Sequence, residues 1–294
     1  MPLVSIGLPV RNGAERIERV VKSVLSQDHD PLQLLICDNA STDRTEEVCR
    51  ELTQADARVA YHRHPQNIGL LNNFVSTIQL ARGEFFRWIS DDDILEPRYV
   101  SRSLEAFSND DRLVLVTTQI SYTGDDGVSQ TAAYEGAQLR SDNPLERFME
   151  MLRLLNESHL MIDPLYALLR RTPVASISRR NMLREDEVFA TKLALAGPWG
   201  HVAEVLAHRT RKQETLFALA RRLGVPAWQA WFATTLQCYE IRRWVSDPRL
   251  TPELTDRQRH EACAAVRAMW MRRQWSVAAR RARKLACLAI RRPG

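Results

Sequence analysis

An α/β architecture, a mostly parallel sheet flanked by helices with a helical C-terminal appendage, is the fold that this 294-residue sequence predicts. Three observations predict it. Short β-rich runs alternate with helix-period segments over the first 120 residues, the pattern of repeated βα units joined by right-handed crossovers. The alternation breaks down between about 120 and 212, and from 213 onward every segment has helical periodicity.

Taken in order, residues 3–8 read as a strand and 14–25 as a helix, 32–37 as a strand and 43–52 as a helix. Strands are then expected at 58–62 and 85–89, around a helix at 72–81. Residues 97–107 form a further helix, with Pro97 at a favoured first-turn position. Residues 113–118 are β-rich, and Gly124-Asp125-Asp126-Gly127 marks a turn. Beyond it, 144–155 and 185–196 read as helices and 165–169 and 201–208 as strands. The last segments, 214–223, 227–245, 255–270 and a basic stretch to Ile290, are all helical. The expected division is residues 1–212 as an α/β unit, with halves 1–120 and 121–212, and 213–294 as a basic helical region.

Apolar residues make up 45% and charged residues 26% of the chain, as in ordinary soluble proteins. Cys37, Cys49, Cys238, Cys263 and Cys287 form no Cys-x-x-Cys pair, which points to reduced thiols and against a disulfide framework or zinc site. No signal peptide precedes the first strand. The longest uncharged run, 223–239, spans 17 residues and contains Gln229, Thr234, Thr235 and Gln237, too short and polar for a bilayer. The expectation is a cytoplasmic protein. Net charge is +5, divided unevenly: residues 205–294 hold 19 Lys/Arg against 6 Asp/Glu, and the remainder carries −8. That asymmetry suggests units with different partners.

The chemistry concentrates at the predicted strand ends. Asp91, Asp92 and Asp93 follow the 85–89 run, where ligands bind in open α/β sheets. Three adjacent carboxylates repel unless a cation neutralises them. Their hard oxygens suit Mg²⁺ or Mn²⁺ together with substrate phosphates. A solvated acidic turn capping the next helix is the simpler alternative. The first strand runs into Pro9-Val10-Arg11-Asn12-Gly13, and the second into Asp38-Asn39-Ala40-Ser41-Thr42-Asp43. A carboxylate such as Asp38 can accept a bond from a nucleotide base. Ser41 or Thr42 with Glu46 or Glu47 also fits a capping box. Asn67-Ile68-Gly69 and Asn72-Asn73 make a further polar turn.

In this order, with Ala81-Arg82-Gly83-Glu84-Phe85 before Ser90-Asp91-Asp92-Asp93, these motifs resemble the family 2 glycosyltransferases of the Rossmann-like GT-A fold, which are inverting and metal-dependent. The resemblance covers about residues 3–210. It implies that Pro9, Val10, Asn12, Asn67, Gly69 and Asn73 line a nucleotide pocket and that Asp38 reads the base. The family's Asp-x-Asp-Asp frame has Ser90 in its first place here. Asp92 then becomes the expected ligand of Mn²⁺ or Mg²⁺, with Asp93 and Asp91 helping at the metal or ribose. A literal Asp-x-Asp reading takes Asp91 and Asp93 instead. Arg184-Glu185-Asp186-Glu187 resembles the family's Glu-Asp motif, which makes Asp186 the general base and Glu185 its neighbour. Crowding by Glu185 and Glu187 would raise the Asp186 pKa. Acidic residues at a helix N-terminus also simply complement its dipole.

In His208-Arg209-Thr210-Arg211-Lys212, Arg211 takes the place of a family histidine. Arg209 or Arg211 would neutralise a leaving diphosphate, unless the segment is a solvated basic loop. Asp163 and Tyr166, with Tyr134 and His159 behind them, would shape an acceptor pocket. The implied reaction moves a sugar from a nucleotide-diphosphate sugar, UDP-linked by default, to a hydroxyl on a glycan, lipid-linked or small-molecule acceptor. A nucleotidyltransferase or a non-catalytic nucleotide-binding scaffold are the alternatives. In the tail, Met271, Trp275, Ala278, Ala282, Leu285 and Ala289 make an apolar stripe flanked by arginines. It suits packing on neighbouring helices, self-association or peripheral contact with the inner membrane face; no recognised nucleic-acid module accompanies it.

Overall fold

The computed structural model describes residues 1–131, 133–157, 163–210 and 214–290, with side chains described as far as 275. Strands β1 (Val4–Val10) and β2 (Leu32–Asp38) are buried along their whole length, as expected of parallel strands covered on both faces. Helix α1 (Ile17–Leu25) connects them and buries Ile17, Val20, Val21 and Val24, one face of a 3.6-residue period. Then come α2 (Thr45–Ala55), β3 (Val59–Arg63), α3 (Leu70–Leu80), β4 (Phe85–Trp88), β5 (Ile94–Leu95) and α4 (Tyr99–Ser108). The second half contributes β6 (Leu115–Thr123), β7 (Ser129–Thr131), α5 (Pro144–Glu157), β8 (Leu168–Arg170), α6 (Arg171–Ala175), α7 (Glu185–Ala196) and β9 (Trp199–Thr210). The chain continues with α8 (Leu216–Leu223), α9 (Gln229–Ser246) and α10 (Asp256–Ile290).

The strands form one sheet in the order β3-β2-β1-β4-β8-β6-β9-β5, with β7 paired to β6. Strands β1 to β4 are all parallel, while β5 pairs antiparallel with β9. β8 then enters antiparallel to both β4 and β6, while β6 and β9 run parallel. The expected 165–169 strand is therefore shifted: Pro164–Tyr166 make a 3-10 turn and pairing begins only at Leu168. Short β5, β7 and α6 carry too few residues to show a period. Helix 255–270 and the basic stretch prove to be one helix, α10, of 35 residues.

Helices α1, α2 and α4 bury Val20, Val48, Cys49 and Phe107 in one cluster with the sheet. Another cluster gathers Ile78, Phe86, Trp88, Met151, Phe189 and Leu193. The C-terminal helices share a core with α5 and α7: Phe148, Leu152, Val188 and Leu195 meet Ile241, Trp244, Val245, Val266 and Met269. Arg147 closes the C-terminal end of α7, donating from Nε to the Ala194 carbonyl (2.7 Å) and from Nη2 to that of Leu195 (3.0 Å), so carbonyls with no partner inside the helix are satisfied. Cys37, Cys49, Cys238 and Cys263 are free thiols; Cys287 lies outside the described side chains. Of the predicted tail stripe, Met271 and Trp275 are exposed, and the positions from 278 on lie outside the described side chains. Among the described residues no helix is long and apolar enough to cross a membrane.

Candidate active site

The loops after β1 and β2 are stitched together at the carboxyl edge of the sheet. Asn12 adopts a left-handed φ of 55°. Its N–H donates to Ser41 Oγ (2.9 Å), its Oδ1 accepts from the Thr42 N–H (2.9 Å), and the Gly13 N–H donates to Thr45 Oγ1 (2.9 Å). A Cβ on Gly13 would come within 2.5 Å of the Val10 side chain and 3.2 Å of Asp91 Oδ2; only glycine fits this approach. Pro9 and Val10 are buried and pair in register with Cys37 and Asp38, so their side chains belong to the floor below this edge.

Asp38 is completely buried, and its oxygens already accept from the Ser41 N–H (2.8 Å), Ser41 Oγ (2.5 Å) and the Tyr61 hydroxyl (2.8 Å), with Arg63 Nε at 3.4 Å. This carboxylate holds the loop after β2 through these bonds. Asn73 is 2% exposed, and its amide donates to the Cys37 carbonyl (2.9 Å), tying α3 to the sheet. Asn67 and Gly69 stay at the surface, where Asn67 Oδ1 accepts from the Gly69 N–H (3.0 Å). Gly69 has φ 89° and open space where a Cβ would sit. Asn39 holds that turn, accepting from the Ile68 N–H (2.8 Å) and donating to the Gly69 carbonyl (3.2 Å). Its contribution was hidden in the sequence because partners 29 or 30 residues away leave no local pattern.

The three aspartates after β4 diverge. Asp91 pairs with Arg16 at 2.5 Å, and Asp92 is partly exposed. Asp93 is 1% exposed; it accepts from the Ser90 N–H (3.2 Å) and pairs with Arg209 Nε (3.0 Å). Burial raises the Asp93 pKa, while Arg209 and Arg87 oppose the rise. Arg209 also reaches Asp163 through Nη1 (2.9 Å) and lies over the Tyr166 ring at 3.6 Å. Tyr166 in turn places its hydroxyl 3.0 Å from Ser90 Oγ. Arg209 thus joins β4, the 163–166 turn and β9, and two carboxylates already meet its charge. Arg209, expected to face a diphosphate, and Asp93, expected at a metal, are paired with each other here. Arg211 and His159 lie outside the described residues.

Among the described residues no group of three or more His, Cys, Asp or Glu side chains could hold a metal ion. The carboxylate oxygens of the turn after β4 suit an ion that is also bound by a ligand's phosphate oxygens, the habit of Mg²⁺, and not an all-protein cage.

At the N-terminus of α7 the acidic residues take different roles. Glu185 is buried and held in a two-pronged pair by Arg179, with Nε to Oε1 at 2.8 Å and Nη2 to Oε2. Arg179 itself lies 4.2 Å over the Phe189 ring. Glu185, expected beside the general base, thus anchors the helix start through Arg179. Glu187 pairs with Arg184 and with Arg273 of α10 (3.1 Å) and accepts from Gln237 (2.9 Å). Asp186 alone of the three has an exposed surface. It is nevertheless partly enclosed by the surrounding protein, which raises the cost of its charge. That enclosure, then Glu187 and Asp163, pushes its pKa up to about 6.

Removing Glu185 gives a first test of these assignments. Glu185→Ala leaves the Arg179 charge unpaired and buried, which is expected to cost about 3–5 kcal/mol of stability. Denaturant unfolding should show that loss, and Arg179→Met in the same chain should recover much of it.

Tyr134 lies farther from this chemistry. Its ring stacks on His201 at 4.0 Å and its hydroxyl donates to the Gly136 carbonyl (2.8 Å). Burial lowers the His201 pKa to about 4 and raises that of Tyr134 to about 12. Tyr122, not singled out by its sequence context, belongs closer in: burial raises its pKa, and the charges of Asp163, Arg209 and Asp93 all act on it.

The model of glycosyl transferase family 2 matches residues 5–177. A chondroitin synthase from Pasteurella multocida (strain Pm70) is 35% identical over 127 residues, covering 43% of this chain and 13% of that protein. A chondroitin synthase from Escherichia coli is 35% identical over 119 residues, 40% of this chain and 17% of that protein. The chain thus spans a small part of these much longer relatives. Among solved structures, S. aureus TarS 1–349 in complex with UDP-GlcNAc superposes with a TM-score of 0.63 at 14% identity, covering 92% of this chain and 72% of that one. Mannosyltransferase PcManGT from Pyrobaculum calidifontis, in complex with GDP-Man and Mn²⁺, gives 0.56 at 16% identity, covering 99% and 81%. These likenesses show the GT-A fold.

Proposed function

Because the chain belongs to glycosyl transferase family 2, we propose that it transfers a sugar from a nucleoside-diphosphate sugar to an acceptor hydroxyl, with inversion at C1. The observation that carries this reading is Asp186, an exposed carboxylate in the first turn of α7 with its pKa raised to about 6. Such a group is unprotonated at neutral pH yet basic enough to take the acceptor proton as the oxygen attacks C1. The base and ribose would rest on the stitched edge formed by Asn12, Ser41, Asn67 and Gly69, where the open side of Gly69 leaves room. A divalent cation, Mn²⁺ or Mg²⁺, held by Asp92 and the donor's phosphate oxygens, would supply Lewis acidity to the departing diphosphate. Arg209 serves by position, keeping Asp93 and Asp163 neutralised beside the reacting groups. In this reading residues 1–212 carry the chemistry and 213–294 support it through the shared core with α5 and α7.

Support for the donor class comes from the neighbours: TarS is seen with UDP-GlcNAc and PcManGT with GDP-Man. UDP-sugars are the first to try. Incubation with a panel of nucleotide sugars and Mn²⁺ should release a nucleoside diphosphate from one of them, and EDTA should stop the release. Release of pyrophosphate from a nucleoside triphosphate and a sugar phosphate would mark a nucleotidyltransferase and refute the proposal.

The pH dependence follows from the same carboxylate. Only ionised Asp186 can accept a proton, so kcat/KM should fall about tenfold per pH unit below about 6 and level off above it. A profile flat down to pH 4.5 would remove Asp186 from the role.

A further inference from the structure

The outer face of α9 and its neighbours holds large aromatic side chains in water. Trp231 is 70% exposed, Tyr239 60%, Phe232 55% and Trp228 52%, while Ala233, Ile241 and Trp244 face inward. The patch is continuous across three helices. Trp231 meets Phe217 of α8 edge-on at 5.5 Å, and Trp228 lies 6.5 Å from Phe232. Trp270 of α10 donates from Nε1 to Thr235 Oγ1 on α9 (3.1 Å), and Trp275 follows, also exposed. Contiguous exposed apolar surface of this kind marks a contact site.

Charge decides what it contacts. Between residues 215 and 246 the one acidic side chain is Glu240, which is buried and held by Arg243 at 2.7 Å. Between 262 and 275 there is none. Arg221, Arg242, Arg267 and Arg272 are exposed on the same three helices. Two copies meeting through this face would bring like charges together, whereas an anionic surface would complete it. Tryptophan and tyrosine favour the headgroup level of a bilayer, and arginines add attraction to anionic lipids.

We propose that the aromatic and basic face of α8, α9 and α10 docks the protein on an anionic phospholipid surface. The rings enter the headgroup region and the arginines meet lipid phosphates. The inference does not depend on the transferase reading.

The test uses the full chain with vesicles of phosphatidylglycerol and phosphatidylcholine, against vesicles of phosphatidylcholine alone. Co-sedimentation should show binding to the anionic vesicles at least about tenfold tighter than to the neutral ones, weakening as salt is raised. Brominated lipid should quench the tryptophan fluorescence of the bound wild type. Trp228→Ser with Trp231→Ser, both at exposed positions, should keep the circular dichroism and unfolding midpoint and lose at least about tenfold in affinity. Binding to neither vesicle would overturn the proposal, as would equal binding by a folded double variant or bound protein whose fluorescence brominated lipid leaves unchanged. Self-association lost in the variant, without vesicle binding by wild type, would assign the face to a second copy and equally overturn it.

Discussion

Asp186→Asn is expected to lower kcat/KM by about 10²–10⁴-fold, the usual contribution of a positioned general base, while donor binding survives. Asparagine keeps the size of the side chain and removes the proton acceptor. Stability separates this outcome from simple damage to the fold. The Asp186 pKa is raised in the folded state to about 6, so ionising it there is harder than in the unfolded chain. The destabilisation is absent below the unfolded value and complete above about pH 6. Asparagine abolishes it, so the variant should unfold no more easily than wild type at pH 7–8. Loss of activity together with loss of stability would indicate a structural residue. Steady-state kinetics and thermal unfolding on one preparation give both readings.

Arg209→Met carries the second large effect, on the fold. Arg209 neutralises Asp93 at 3.0 Å and Asp163 at 2.9 Å and packs on Tyr166. Methionine fills similar space and leaves Asp93, 1% exposed, without this partner. Breaking a buried pair from one side costs about 3–5 kcal/mol, which for a chain of this size lowers Tm by about 10 °C. Arg209→Lys should recover only part of the loss, because a point charge cannot bridge two carboxylates as a planar guanidinium does. Thermal melts of the two variants give the comparison. A methionine variant with unchanged Tm would mean that the bridge contributes nothing.

The βα half was legible because its strands and helices follow strong local rules. Residues 3–8 and 32–37 are apolar runs of strand length, and the buried positions of α1 recur at helical spacing. The second half was less legible. β8 joins β4 and β6 antiparallel with three residues, and its place is set by partners distant in the chain. At the site, the motif order pointed to strand ends: Asn12 follows β1 and Asp91 follows β4. What it could not convey was which carboxylates are already paired. Asp38 with Ser41 and Tyr61, Asp93 with Arg209, and Glu185 with Arg179 are contacts set by side-chain direction and burial.

The most direct measurement is calorimetric titration of wild type and Asp92→Ala with UDP, GDP, dTDP and CDP, each with Mn²⁺ and with EDTA. The account predicts that one nucleotide binds wild type with Mn²⁺ and that both EDTA and Asp92→Ala abolish this binding. A folded wild-type protein that binds none of the four, or binds one equally well with EDTA and without Asp92, would contradict it.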